Sequence, residues 1–445
     1  MKKFTQIAWL LFLFIGSTYA QQEKGIIGDD NWLQNWTEFQ PKSSDYREPT
    51  QILAGNISED TQLLKRNVYL LMGDVFVTEG ASLIIEPGTV IIGDFDTKAT
   101  LTISKGAKLI AQGTETDPIV FTSNRSFKKE GDWGGIIVLG DAPTNKFGNG
   151  SVASFYKDLS PSSYAYTNYG GQNVESNSGI LSYVRIEYAG KRIARGKYLN
   201  GLLLAGVGNK TLIENIMVSY SAGNAFQIWG GDLKISKAVS YRNGSNDFNF
   251  NYGTQCTLEN SLAIRSPFIS NSAGSRCMYV RSYDKKEEVD FTKNSTNVIA
   301  KNLTLLNTSD DIKSDITKGL INEALYVGHN SKLDMSKSVI SGFNPAVIFE
   351  NSIAINQENL EKIKFTGMYF NNCNGNIFVE NNSNNEDLEN WYGNSAFLNV
   401  YSKSGNSETF IDTRNARRPD FRLRINKIIA APKEYFAADT TTDED

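Results

Sequence analysis

Residues 181–190 (LSYVRIEYAG), 213–223 (IENIMVSYSAG) and 235–244 (ISKAVSYRNG) can be laid over one another. The overlay puts Tyr188, Tyr220 and Tyr241 in register, each followed within three residues by Gly190, Gly223 or Gly244. The last two copies are offset by 21 residues, and Phe226 and Phe248, at the next strand starts, by 22. The first offset is 32 because residues 192–200 (RIARGKYLN) are inserted. Farther on, residues 333–339 (LDMSKSV) repeat 233–239 (LKISKAV). Short strands recurring every ~20–25 residues, with no helical periodicity between them, are the pattern of a β-solenoid. The rivals are a β-sandwich array and a propeller, whose blades need ~40–50 residues each.

The N-terminal part reads the same way. Val75-Phe76-Val77, Leu83-Ile84-Ile85 and residues 89–92 are three short strands, followed by Leu101-Thr102-Ile103, Lys108-Leu109-Ile110 and residues 119–122. Each group of three makes one coil, in which every strand pairs in parallel with its copy one turn along and alternate side chains enter a narrow core. The bends call for residues that tolerate left-handed backbone and whose amides bond along the axis. The chain supplies 44 asparagines and 37 glycines against 10 prolines. An all-β parallel β-helix is the expected fold class.

Composition narrows the chemistry. With 40% hydrophobic and 21% charged residues over 445 positions, the chain has material for a core. A net charge of −4 and a pI near 5.4 argue against a nucleic-acid partner, which would call for a basic excess. A single histidine, His329, leaves His-based triads and multi-His zinc sites without their residues. Residues 1–20 read as a secretory signal: Lys2 and Lys3, a short apolar run over 7–15, then small residues up to Ala20. No later stretch approaches the ~20 apolar residues of a membrane helix. Cys256, Cys277 and Cys373 are an odd set. Cys256 and Cys277, one nominal coil apart, are a possible disulfide across the ~4.8 Å strand spacing.

Three stretches interrupt the coils: 142–178, rich in Gly, Ser, Tyr and Asn; the charged 284–295; and the Asn/Glu cluster at 371–390. The first is expected as an extended loop from one edge of the stack, where solenoids place binding surfaces. The organisation expected is a signal at 1–20, a cap at 21–50, the β-helix at 51–380, and a C-terminal cap with an acidic tail at 381–445.

A family resemblance adds to this. Gly73-Asp74-Val75-Phe76-Val77, Ala81-Ser82-Leu83-Ile84-Ile85-Glu86-Pro87-Gly88-Thr89, Asp117-Pro118-Ile119-Val120-Phe121-Thr122 and Gly131-Asp132-Trp133-Gly134-Gly135 resemble a group of exported right-handed parallel β-helix proteins of the Bacteroidota, over residues 51–260. The resemblance implies right-handed coils and export more than any activity. Where that group tends to show an Asp-rich run, this chain has residues 244–251 (GSNDFNFN), with Asn replacing most acids. Relatives often end in a C-terminal sorting domain for type IX secretion. The acidic tail here shows none, so the expected place is the periplasm or the periplasmic face of the outer membrane, with the cell surface as the alternative.

Right-handed β-helices often act on polysaccharides. Asp310 and Asp311 followed by Gly328-His329-Asn330 partly match the paired aspartates and Gly-His-Gly of polygalacturonases, but the third aspartate, second glycine and basic motif are missing. Asp94 and Asp96 offer two carboxylates toward calcium, but Asp-x-Asp in a turn is more often solvated. Asp310, Asp311 and His329 are thus the weak catalytic candidates, and no catalytic residue, metal or cofactor is expected. The binding candidates are Trp133, Tyr164, Tyr166, Tyr169, Arg192, Arg195 and Lys197, because tyrosine, tryptophan and arginine tend to dominate binding energy. The expected function is a non-catalytic exported scaffold for a macromolecular partner, chiefly an accessory or plug-like protein of an outer-membrane or secretion complex. The alternatives are a polysaccharide-binding adhesin and a lyase- or glycosidase-like enzyme.

Overall fold

The computed structural model of the protein describes residues 24–157, 159–270, 275–382 and 385–424. The segment read as a signal and the acidic tail lie outside them. Parallel strands stack into three ladders around one axis. Ladder A runs from Thr61–Leu63 through Ser82–Ile85, Lys108–Gln112 and the first half of Gly179–Glu187 to Ile363–Thr366. Ladder B runs from the first half of Gln51–Ile57 through Val90–Gly93, Ile119–Ser123 and the second half of Gly179–Glu187 to Val400–Ser402. Ladder C runs from Asn56 and Ile57 through Thr100–Ile103, Gly135–Leu139 and Leu202–Ala205 to Ile377–Val379. The β-helix therefore continues past residue 380, to Ser402 in ladder B. The six N-terminal strands read from sequence fall into the three ladders as two successive coils.

The core is the column of inward side chains. Leu101, Leu109 and Ile136 are fully buried, and Phe226 stacks on Phe248 with centroids 5.2 Å apart, in the register expected. Leu233 and Leu333, from the two matching heptapeptides, occupy the same position of ladder A three coils apart.

From Gly179–Glu187 onward the corner between A and B carries one residue in left-handed conformation, as at Asn215, Asn260 and Asn302, where asparagine is among the side chains that tolerate it best. At the B-to-C corner Asn200, Asn224 and Asn246 stack, and each side-chain oxygen accepts the backbone N–H of the next coil at 3.0–3.2 Å. These two columns account for part of the asparagine excess.

The tyrosine register is corrected. Glu187 pairs with Ser219 and Ser219 with Tyr241, so the true offset is 22 and the residue in line with Tyr188 and Tyr220 is Arg242. All three hold φ between 52° and 60°, because the corner backbone and not the side chain fixes the alignment. Tyr188 still stacks on Tyr220 at 5.6 Å, whereas Tyr241 meets Tyr220 edge-on at 5.8 Å.

Residues 24–50 do not close an end of the stack. They run as a strap along the outer face of ladder B: Lys24 bonds the carbonyls of Met368 and Leu398 near the last coil, Ile27 meets Asn260, Phe39 meets Tyr241, and Thr50 reaches Val68 near the first. Trp36, Phe39 and Ile26 are buried there. The C-terminal hairpin of Phe410–Asp412 and Asp420–Leu423 folds onto the same face, with Phe421 against Phe39 at 5.9 Å and Arg422 on the carbonyls of Gly28 and Asp29. The end after the last coil is closed by the helix Glu386–Tyr392, whose Leu388 and Tyr392 are buried and whose Tyr392 packs on Phe349 and Phe365.

Cys256 and Cys277 are unpaired buried thiols, which corrects the disulfide reading. Cys256 lies in ladder A and Cys277 just before the ladder C strand Met278–Val280, so the 21 residues between them span two strands and not a whole coil. Asp247, in the asparagine-rich run 244–251, is fully buried against Arg265 at 3.2 Å. Its carboxylate is neutralised by an arginine and is not presented to a cation.

Candidate binding face

Chain length is unevenly spent around each coil. From Gly179–Glu187 onward the A-to-B corner takes one or two residues, whereas long insertions leave the other two: 124–134, 189–201, 266–277 and 308–324 between B and C, and 140–178, 281–295 and 350–362 between C and A. The outer face of ladder C is therefore walled along both edges, the arrangement in which a scaffold presents loops to a ligand.

The first half of this face is occupied by the chain itself. Phe76, Thr102, Ile137 and Leu203 point outward in register. The 142–178 excursion folds back over them: Tyr156 packs on Phe76 at 5.1 Å with its hydroxyl bonded to Thr102, Tyr166 lies 5.8 Å from Phe76, and Tyr169 lies 6.0 Å from Trp229. Burial pushes the Tyr156 and Tyr169 hydroxyls well above the usual tyrosine range. Tyr169 is 2% exposed, so it is a core residue of the loop and not a ligand contact, and Tyr166 is half-buried in the same packing. Tyr164 alone of the three stands free, at 52% exposure.

The second half is open. Tyr279 and Tyr326 are in register and stack at 5.1 Å, with the Arg276 guanidinium 5.3 and 5.0 Å from their centroids. Arg281 donates to the Tyr279 hydroxyl at 2.7 Å, and the Tyr326 hydroxyl donates to Glu380 at 3.2 Å. Arg276 is paired with Glu323. Burial raises the Tyr279 pKa against the pull of Arg281, and burial with Glu350 and Glu380 raises that of Tyr326, so both hydroxyls stay protonated. Tyr326 is itself only 8% exposed, so the recognition surface here is the half-buried Tyr279 ring with the Arg276 and Arg281 guanidinium groups beside it. Ile348 and Phe378 continue the row and are partly exposed.

The remaining sequence candidates separate. Arg192, Arg195 and Lys197 are exposed on the small hairpin of Arg192–Ala194 and Lys197–Tyr198, at the B-to-C edge of the same face. At its root Lys191 reaches Asp74 at 2.9 Å and the Tyr156 ring at 6.0 Å, which ties hairpin to loop. Asp311 caps the helix Ile312–Thr317 by accepting the Ser314 N–H, and Asp310 is exposed beside it at the B-to-C corner. His329 lies at the C-to-A bend, where its backbone N–H donates to the Glu350 carboxylate at 2.8 Å. The three are thus on opposite edges of ladder C. Asp94 accepts from Thr97 and Asn124 inside a turn; burial opposes its ionisation, but these bonds prevail and hold its pKa low. Among the described residues no three His, Cys, Asp or Glu side chains group as a metal site would.

The long parallel three-ladder coil, with its loops gathered about one face, matches the model of the pectate-lyase-like β-helix domain over residues 55–410. The chain belongs to this family. No curated protein and no solved structure matches it. In this pectate-lyase-like β-helix, Tyr279, Tyr326, Arg276 and Arg281 were not legible as a site in the sequence. Tyr279 and Tyr326 are 47 residues apart because residues 281–295 and 308–324 intervene, which hides the coil period.

Trp133 is fully buried, stacked on Phe121 at 6.3 Å, with its indole N–H donating to the Glu187 carbonyl at 2.7 Å. It cannot stack on a sugar or a partner, and the glycines beside it serve close packing: a Cβ on Gly93 would sit 2.6 Å from the Trp133 ring. The Glu187 side chain is itself buried, 3.5 Å from Arg185, and burial raises its pKa despite that cation. A carboxyl raised in the fold stabilises it below the unfolded value of ~4.3 and loses that contribution as pH climbs through the folded value. Glu187→Gln, which mimics the protonated acid, is expected to melt together with the wild type near pH 4 and above it at pH 8. Parallel melting curves across this range would sink the assignment.

Proposed function

We propose that this β-helix is an exported, non-catalytic scaffold that binds a protein of the outer membrane or its secretion apparatus from the periplasmic side, through the face of ladder C. One observation carries the reading. Seven of the twelve large apolar side chains that stand exposed among the described residues sit on the insertions bordering this face: Phe127, Phe268 and Leu320 on the B-to-C side, and Phe147, Tyr164, Val174 and Phe291 on the other. Apolar tips around an aromatic and arginine-bearing surface are what protein recognition uses. No helix among the described residues is long and apolar enough to cross a membrane.

The test is crosslinking and capture from the membrane fraction of the source cells. A stoichiometric outer-membrane protein is expected, and Phe127→Asp with Phe268→Asp should reduce its capture about tenfold or more, since hot-spot residues each carry ~2 kcal/mol or more. Capture unchanged by the substitutions would sink the proposal. The stacked Tyr279 and Tyr326 favour a second reading, a glycan lying along the open half of the face. Retention on a glycan array that Tyr279→Ala, at the more exposed ring of the pair, abolishes supports it instead.

A further inference from the structure

A cavity of about 430 Å³ lies over the outer face of ladder B, between the N-terminal strap and the C-terminal hairpin. Its walls are aromatic: Phe39 comes from the strap, Tyr220 and Tyr241 from the solenoid, and Phe421 from the hairpin. Its charged groups are Lys42, Arg242 and Arg414, and no Asp or Glu lines it. Lys42 Nζ stands 5.5 Å from the Tyr220 ring centre, and the Arg242 guanidinium carbon 5.2 Å from that of Tyr241. Among the described residues none of the three cations makes an ion pair. Arg242 Nε is buried with no hydrogen-bond partner. A desolvated guanidinium without an acceptor at Nε is costly; an anion held by its terminal N–H groups in the cavity compensates the charge, though not that bond.

The acids of the strap and hairpin near the site are hydrogen-bonded locally. Glu38 accepts from the Gln40 N–H at 2.7 Å and the Ser44 hydroxyl at 3.3 Å, and Asp412 accepts the Arg414 and Asn415 N–H groups at 3.1 Å. Asp310 and Asp311 line a neighbouring groove that shares Arg414. Arg417 and Arg418 stand exposed on the same hairpin turn as Arg414, in a chain whose net charge is negative. Three cations from three separate segments suit a group of more than one charge and several acceptor oxygens. A phosphate ester offers both, whereas a single carboxylate is satisfied by one arginine fork.

We propose that this cavity binds a phosphorylated sugar, with the phosphate on Lys42, Arg242 and Arg414 and the ring against Tyr220 and Tyr241. Its volume falls within the ~300–1,000 Å³ of ligand pockets. The test is calorimetric titration of the full chain at low salt with glucose 6-phosphate, glucose and inorganic phosphate. Glucose 6-phosphate is expected to bind, inorganic phosphate to bind about fivefold more weakly for want of stacking, and glucose not to bind. Arg242→Gln should weaken binding about tenfold. Arg414→Gln, on an exposed turn where folding is unaffected, should weaken it as well. The idea fails if glucose 6-phosphate gives no heat up to about 10 mM, if glucose or inorganic phosphate binds as tightly, or if both variants bind like the wild type. Co-sedimentation with phosphatidylcholine vesicles carrying lipid A, displaced by glucose 6-phosphate, assigns the sugar to a membrane glycolipid. Glucose 6-phosphate binding without such sedimentation assigns it to a soluble sugar, and either outcome upholds the site.

Discussion

Asp247→Ala is expected to destabilise the protein by about 3–5 kcal/mol, because it strands a buried guanidinium. Arg265 is 3% exposed at its side chain and Asp247 not at all. Arg265 also donates to the carbonyls of Ser245 and Asn243 at 2.7 and 3.0 Å, while Asp247 accepts from Ser240 and Asn243 braces Ser240 at 2.8 Å. The network fixes the B-to-C corner through several coils. The carboxylate itself is under tension: burial raises its pKa, and Arg265 and Ser240 only partly counter this. Removing the acid takes away the countercharge and leaves the arginine where water cannot reach it. A loss of this size is a large share of the ~5–15 kcal/mol that holds a domain folded. Urea unfolding followed by circular dichroism measures it. Adding Arg265→Met should recover much of the loss, since an apolar pair of similar volume is tolerated where a lone charge is not. A single variant within ~0.5 kcal/mol of wild type, in the range of an ordinary surface change, would refute the argument.

Trp133→Ala should cost a comparable ~3–5 kcal/mol, the penalty of a large cavity in a packed core. The ring fills the space that Gly93 leaves, covers Phe121, and satisfies the Glu187 carbonyl. Trp133→Phe keeps most of the packing but leaves that carbonyl unpaired, so its expected cost is smaller, about 1–3 kcal/mol. The informative part of the experiment is binding. Below its lowered melting temperature the alanine variant is expected to capture its partner as the wild type does, because Trp133 reaches no surface. A variant with normal stability and lost binding would restore Trp133 as a contact residue.

Trp133 illustrates what could and could not be read from the chain. Its setting between glycines was visible, but glycines leave room equally for a ligand and for a buried ring, and only the coil packing shows Phe121 on the other side. Tyr188, Tyr220 and Tyr241 gave the right repeat with a one-residue error, because matching identical residues ignores which backbone position turns the corner. Cys256 and Cys277 were one average coil apart in sequence, yet insertions make coils of this chain differ in length by tens of residues, so spacing alone could not place two thiols face to face. Tyr164, Tyr166 and Tyr169 looked alike in a polar loop. The packing against Phe76 and Trp229, 60 or more residues away along the chain in each direction, is what buries Tyr169 and leaves Tyr164 free.

The amino-acid sequence by itself determined the parallel β-helix. Alternation of apolar residues and short strand lengths are local requirements of every coil, and asparagine recurs at many of the corners, often enough to be read without knowing where any coil lies. What lies outside the coil was decided by tertiary structure. The strap and the hairpin cover ladder B, the 142–178 loop covers half of ladder C, and the cationic cavity exists only where strap, corner and hairpin meet. Such surfaces are built from segments hundreds of residues apart, such as Lys42 beside Tyr220 and Arg414, and no local pattern records which of them will be neighbours.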